Sequence, residues 1–543
     1  MSKSLSNPAV RGLGIVALSL AAITAFYKSV GYLGFNPTDD GAILATSYRL
    51  LQGEIPHIDF ISPRPVGSPL LHTLDFLIPL PLFVAGRIVA LAEMLAFTYC
   101  FARVTIGKPL VRWPLIALAG ALAAWAINVH TFTLMPWHTI DGLLVLAVGI
   151  AILSSASGSS RYRVPLAFVI LGLGPLTKQG FAFAPLVGII YAFYKGIYRE
   201  KALKRVGFHA LLAATPTVLY VATIAVLGGG QAMASQLSAT APDWGAQLFT
   251  SPSLWEGKSL ILLCLHIVSG IAVAFLCTPR RDGRVLHPKL ATVMRCGVTL
   301  VLLIWLHQFP FDTVYTGGLY VMWAMIAYFV TAQVVGKFDA AALVVLAAGW
   351  IAMLSWGYAV PNLVAGSMAF FLMYRSWTGV KIPELAMPAL AVLIVVVVAI
   401  MSFAVRRAHP PRDLSKPLLT FPLLEISAEF GDIRTSDALG RHLQDIVDCV
   451  EHYPSDKVAI LPSNAGLYPA LGLENPLPID WVYPLEYSGS ESRLLRSAEQ
   501  LEPSYLVIFQ NFDVAQISSP SEVPKAHDIF WYDLHLVPGC LTL

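Results

Sequence analysis

Apolar stretches of about 17 to 25 residues recur along the first three quarters of this chain, and that repetition limits its fold more than any motif does. Each stretch is long enough to cross a hydrocarbon core of about 30 Å as a helix. A soluble core has no use for so many. The composition agrees: 56% of the 543 residues are hydrophobic and 13% are charged, against about 25% charged in an average soluble domain. The net charge of +3 is small and unclustered, which argues against a nucleic-acid partner.

The pattern predicts an α-helical polytopic membrane protein of about 13 spans, at residues 12–33, 79–103, 113–129, 140–157, 164–177, 180–196, 206–228, 259–277, 294–309, 316–335, 340–358, 362–374 and 385–405. With the N-terminus in the cytoplasm, the basic groups Arg103, Lys108 and Arg112, then Arg161 and Arg163, then Lys195 to Arg205, then Arg280 to Arg295, Lys337, Arg375 and Lys381 all fall on one side. That is the asymmetry of the positive-inside rule, and an odd span count puts the C-terminus outside. Lys3 and Arg11 before the first apolar run imitate a signal peptide, but no small-residue cleavage site stands out. The expectation is an uncleaved first helix.

From about Arg406 the composition shifts. SDALGRHLQDIVDCVEHY and SESRLLRSAEQL have helical apolar spacing, while KVAILP and SYLVIFQ read as short buried strands. The expected organisation is a transmembrane domain, 1–405, with a first outer loop at 34–78, and a small α/β extracytoplasmic domain at 406–543. Cys100, Cys264, Cys277 and Cys296 fall in or beside apolar segments. Cys449 and Cys540 lie in the polar tail, where an oxidising compartment would let them pair; two free thiols are the alternative. Neither a phosphate-cradling glycine loop nor an internal repeat is evident.

The first outer loop, NPTDDGAILATSYRLLQGEIPHIDFISPRP, carries the densest polar chemistry. Asp39 and Asp40 follow the first span, and GAILATSYRLLQG reads as a short helix in the membrane interface with Thr46, Ser47 and Arg49 on its polar side. One aspartate suffices as an N-cap, which leaves the second carboxylate for other work. A sugar already activated by a lipid phosphate needs no proton on its leaving group, but its acceptor hydroxyl needs a base. One interfacial aspartate meets that need, and Arg64 or Lys178 is placed to stabilise a departing phosphate. Glu54, His57 and Asp59 read as residues that shape the loop, with Asp59 a candidate partner for Arg64.

TDDGAILATSYRLLQGEIPHIDF, followed by PRPVGSP and an apolar helix, resembles the first outer loop of the GT-C membrane glycosyltransferases, in particular the bacterial group related to protein O-mannosyltransferases (family 39-like). LGLGPLTKQGFAFAPL and KVAILPSNAGLYPALGLENPLP are similar to further regions of that group, and the odd span count is similar to the catalytic subunit of oligosaccharyltransferases. The resemblance implies a GT-C-like fold in a bacterial cytoplasmic (inner) membrane, with the site on the extracytoplasmic side. It implies transfer, with inversion, of a sugar from a polyprenyl-phosphate donor to a glycolipid, polysaccharide or protein acceptor. Asp39 or Asp40 would be the base, with Asp39 preferred and Asp40 orienting the acceptor or capping the helix. Lys178 and Arg64 would hold the donor phosphate.

Other polar residues expected on the outer side are His138, Asp141, His307, Asp312 and Tyr315, as site-lining groups. His138 and Asp141 stand at i and i+3 of a helix, a spacing that admits a metal; without a third ligand an acceptor contact or cap is preferred, so no metal ligand is assigned and a divalent ion stays open as the one cofactor. Glu93 falls inside the second span, where it needs a partner, and Arg87 is too far along the helix to face it. The competing function is a transporter or flippase of a lipid-linked substrate, which would set polar groups near the bilayer midplane rather than at one interface.

Overall fold

The computed structural model describes residues 7–37, 39–131, 134–156, 162–198, 202–238, 247–250, 257–280, 287–307, 314–336, 339–356, 361–377, 386–408, 413–487, 489–502, 504–510 and 541–542. α1 (Pro8–Phe26) starts at a capping Asn7, whose side chain accepts the Ala9 amide, with Pro8 as the first helical residue. A π-helical turn extends it to Gly31. The first loop contributes α2 (Ala42–Leu51) and α3 (Gly67–His72). Then follow α4 (Leu82–Ile106), α5 (Leu115–His130), α6 (His138–Ser154), α7 (Arg163–Leu171), α8 (Gly174–Thr177), α9 (Ala184–Tyr194) and α10 (Ala202–Val226). α11 (Gly230–Leu237) and α12 (Gln247–Thr250) are short. α13 (Gly257–Cys277), α14 (Pro288–His307), α15 (Val314–Val335), α16 (Ala340–Trp356), α17 (Ala365–Trp377) and α18 (Ala386–Ala408) complete the helical body.

Among the described residues, each apolar stretch expected as a span is largely helical; 164–177 is split between α7 and α8, and 180–196 and 362–374 open with a 3₁₀ turn. Among the described residues, six helices are long and apolar enough to cross a membrane: Pro8–Gly31, Leu82–Ile106, Ala202–Val226, Gly257–Cys277, Gly318–Val335 and Ala386–Ala408. Others, such as α5 and α6, are apolar but shorter. The central stretch of α4 is 72% buried, whereas those of α1, α10 and α18 are each 17% buried. α4 is therefore a core helix. The other three turn leucines and valines such as Leu13, Leu219 and Val392 outward, an apolar surface that water would penalise and lipid would cover. Inside, Asn128 of α5 donates to Thr98 of α4 at 2.9 Å and to Ser367 of α17 at 3.0 Å, and accepts the Gly366 amide. Such a satisfied amide ties three helices where hydrophobicity alone gives no preference between lipid and protein.

The C-terminal region carries the expected strand and helix alternation. β1 (Phe421–Pro422) and β2 (Arg434–Thr435) pair antiparallel; α19 (Asp437–His452) then leads to β3 (Val458–Leu461). After α20 (Leu467–Leu471), α21 (Pro484–Tyr487) and α22 (Glu491–Glu499) come β4 (Leu506–Gln510) and β5 (Leu541–Thr542). The order β3-β4-β5 is parallel, with Val458 opposite Leu506 and Phe509 opposite Leu541. β3 is buried along its length, as a continuous apolar run requires. Cys449 is disulfide-bonded; Cys540 lies outside the described residues.

This region does not stand apart from the membrane helices. Phe35, Leu44, Leu82 and Phe83 share one hydrophobic cluster with Leu423, Phe430, Leu443 and Ile460, and the Phe83 and Phe430 rings lie 4.4 Å apart. Nor does α2 keep Ser47 and Arg49 on a solvated side, as the interfacial reading expected: both are buried. The reason is the docked C-terminal region. Arg49 makes a two-pronged ion pair with Asp480 at 2.8 and 2.7 Å, a third bond to Glu54 at 2.8 Å and a fourth to the Leu477 carbonyl at 2.7 Å. Backbone contact is equally close. Gly41 has φ +91°, and a Cβ there would lie 2.3 Å from the Gly466 Cα, so no larger residue fits.

Removing one partner of a buried ion pair strands the other, at a cost of about 3–5 kcal/mol. Arg49→Met is therefore expected to destabilise the protein by that order and to expose the segment from Asp413 to Tyr487 to limited proteolysis. Wild-type cleavage kinetics in the variant would show that Arg49 does not hold the two regions together.

Candidate functional site

Four parts of the chain converge at one end of the helical body: the turn before α2, the loop before α3, the first turn of α6, and the break at Lys178 between two short helices. The C-terminal region closes over them. Asn464, with φ +74°, donates its amide to the Pro37 carbonyl at 3.0 Å. Gln179 donates to the Pro63 carbonyl at 2.6 Å and so ties the Lys178 turn to the first loop.

The adjacent aspartates have different surroundings. Asp40 is 2% exposed and accepts the Asn36 amide at 3.0 Å and the Arg87 guanidinium at 3.1 Å. Arg87 also donates to the Gly31 and Gly34 carbonyls, so Asp40 and Arg87 pin the end of the first helix to α4. Burial pushes the Asp40 carboxyl above its ordinary range, against the pull of Arg87. Asp39 accepts the Asn36 side-chain amide at 2.9 Å, and its charge reaches Arg64. Neither carboxylate caps α2. The cap position is Gly41, which has no side chain to offer, and this corrects the capping role expected for Asp40.

Arg64 does not pair with Asp59, which instead accepts the Ile55 amide at 2.6 Å within its own turn. The guanidinium forms a two-pronged pair with Glu486 at 2.5 and 2.7 Å. Arg64, Glu486, His138, Thr46, Trp137 and Trp481 line a cavity of about 60 Å³. That is room for about two waters, so a sugar requires the walls to part. Lys178 is half-buried and within electrostatic reach of Arg64 and Glu486. Burial, and then Arg64, draw its ammonium well below the ordinary lysine range, with Glu486 opposing. Among the described residues Lys178 forms no ion pair. A bound anion beside Lys178 and Arg64 would favour the charged form of the lysine, which burial and Arg64 now oppose.

His138 and Asp141 do not act together. His138 lines the cavity, and Asp141 lies 3.3 Å from the Nε2 of His72. Nδ1 of His72 lies 2.9 Å from Asp75, and Glu93 lies in the same buried group. The partners of Glu93 are thus His72 and Asp141, not Arg87. His57 shapes the loop as expected: it is buried with φ +68° and bonded to Gln236 at 2.7 Å and Tyr220 at 2.6 Å. Asp312 lies outside the described residues, and for His307 and Tyr315 only the helical backbone is described. Glu486 and Trp481 went unread because nothing local marks a residue more than 400 positions from its partner; His72 and Asp75 did leave an i, i+3 signal in SPLLHTLDF.

The two aspartates should separate by stability. Asp40→Ala strands Arg87 in the interior and is expected to cost about 3–5 kcal/mol, whereas Asp39→Ala leaves the Arg87 pair intact and should cost less. Thermal unfolding in detergent checks this, and equal losses would contradict the division of roles. Comparison with protein-family models, curated proteins and solved structures finds no match for this chain.

Proposed function

We propose that the protein is an integral membrane glycosyltransferase of the GT-C type that takes its sugar from a polyprenyl-phosphate donor. The observation that supports this reading is the gathering, at one end of the helical body, of the Asp39 carboxylate within the field of Arg64, and of Lys178 within reach of the same Arg64. In the proposed reaction the acceptor hydroxyl gives its proton to Asp39 as its oxygen attacks the anomeric carbon. The bond from that carbon to the lipid-phosphate oxygen breaks, the configuration inverts, and the phosphate leaves as an anion facing Lys178 and Arg64. Asp40 is the anchor of the loop rather than the base.

The same reading takes the thirteen helical stretches as spans, with the N-terminus inside and both the site and the C-terminal region outside a bacterial cytoplasmic membrane. The disulfide at Cys449 supports an oxidising compartment for that region. A glycolipid, a polysaccharide precursor or a protein would serve as acceptor. The transporter reading is weaker, because the cationic and acidic groups just described gather at one end of the bundle rather than along a path through it.

Purified protein in lipid bilayers with polyprenyl-phosphate sugars, read by mass spectrometry of the lipid-linked products, tests the proposal. Asp39→Asn should lower turnover by about 10²–10⁴-fold, the usual worth of a general base. Lys178→Met should lower kcat/KM for the donor by about 10–100-fold, the worth of a charge-assisted contact. Full turnover by a folded Asp39→Asn protein would sink the assignment, and movement of substrate without a new glycosidic bond would favour transport.

A further inference from the structure

Beneath this site lies a second cluster that the proposed chemistry does not use. His72 ends α3, Asp75 lies in the turn after it, Glu93 is near the middle of the central helix α4, and Asp141 is in the first turn of α6. Their fractional exposures are 0%, 3%, 7% and 0%. One ligand atom from each of His72, Glu93 and Asp141 lies within 4.8 Å of the other two. Among the described residues no lysine or arginine forms an ion pair with any of the three carboxylates; His72 is their one basic neighbour. Oε2 of Glu93 and Oδ2 of Asp141 are buried without a hydrogen-bond partner. Three carboxylates and one imidazole thus share a buried space with too little positive charge to balance them.

We propose that His72, Glu93 and Asp141 form a buried site for a divalent transition-metal ion, Zn²⁺ or Mn²⁺, with Asp75 as the residue that orients His72. Asp75 accepts from Nδ1 of His72, which leaves Nε2 free to bind metal, the usual carboxylate–histidine–metal relay. Nε2 and Asp141 Oδ1 are 3.3 Å apart, and two ligands each about 2.1 Å from one ion are separated by about 3.0–3.4 Å. An imidazole with two carboxylates suits zinc or manganese better than the harder magnesium or calcium, which favour all-oxygen shells. One divalent ion with a neutral imidazole also cancels the two ligand carboxylates and gives the orphaned oxygens a partner. The site is closed, so the ion acts as a staple: it joins α3, α4 and α6 just below His138 and Arg64. This inference does not depend on the transferase reading.

The test uses full-length protein purified in detergent without chelator. Elemental analysis should find about one zinc or manganese per chain, and Glu93→Gln and Asp141→Asn should each reduce that content at least tenfold. Removal of metal from the wild-type protein should lower its Tm, with recovery on addition of ZnCl2 or MnCl2 but not MgCl2. Asp75→Asn should keep full occupancy at saturating metal while weakening affinity about 10–100-fold. The rival arrangement is a protonated His72 with one proton shared between Glu93 and Asp141. It would be established, and the proposal overturned, by wild-type protein that holds no stoichiometric metal and shows neither calorimetric binding nor a Tm shift with either ion. Unchanged metal content in folded Glu93→Gln would equally overturn the ligand assignment. If the variants fail to fold, the wild-type measurements still decide.

Discussion

The guanidinium of Arg49 is the point on which the site's geometry rests. It sits on a helix of the first loop, yet its partners are Asp480, Glu54 and the Leu477 carbonyl. With all these bonds made, a buried charge is tolerable; with one missing, it is a large penalty. The C-terminal region is therefore placed over the first loop with little freedom of register. Every contact that completes the cavity follows from that placement: the Gly41 and Gly466 backbones in contact, Asn464 on Pro37, and Glu486 against Arg64.

A second consequence concerns the adjacent aspartates. Two carboxylates side by side in sequence cannot both share one buried counter-ion without crowding like charges. The fold resolves this by turning Asp40 inward to Arg87, while Asp39 accepts the Asn36 side-chain amide and lies within the field of Arg64. One residue bears the architecture. The other keeps its carboxylate within the field of Arg64, which also acts on Lys178.

Much of the helical body was legible from the order of residues. A chain surrounded by hydrocarbon must satisfy its backbone hydrogen bonds within each segment, so a long apolar run has almost no alternative to a helix. The strands at KVAILP and SYLVIFQ were legible for a related reason, since short β-branched runs between helical patterns suit a buried parallel sheet. The polar partners were not legible. Asp59 stood nearer to Arg64 in the chain than Glu486 did, and His138 nearer to Asp141 than His72, and in both cases the distant residue is the one in contact. Local spacing constrains neighbours along one helix, whereas these pairs form where separate helices and a docked region meet.

By itself, then, the amino-acid order determined the helices, the strand and helix alternation of the tail, and the concentration of acidic chemistry after the first helix, because these depend on periodicity and on the cost of bare backbone in apolar surroundings. Only the tertiary structure decided which aspartate is locked, which cations stand together at Lys178 and Arg64, and that His72, Glu93 and Asp141 converge. The reason is physical: a buried charge takes whichever partner the packing brings within about 3 Å, and packing is a property of the whole chain.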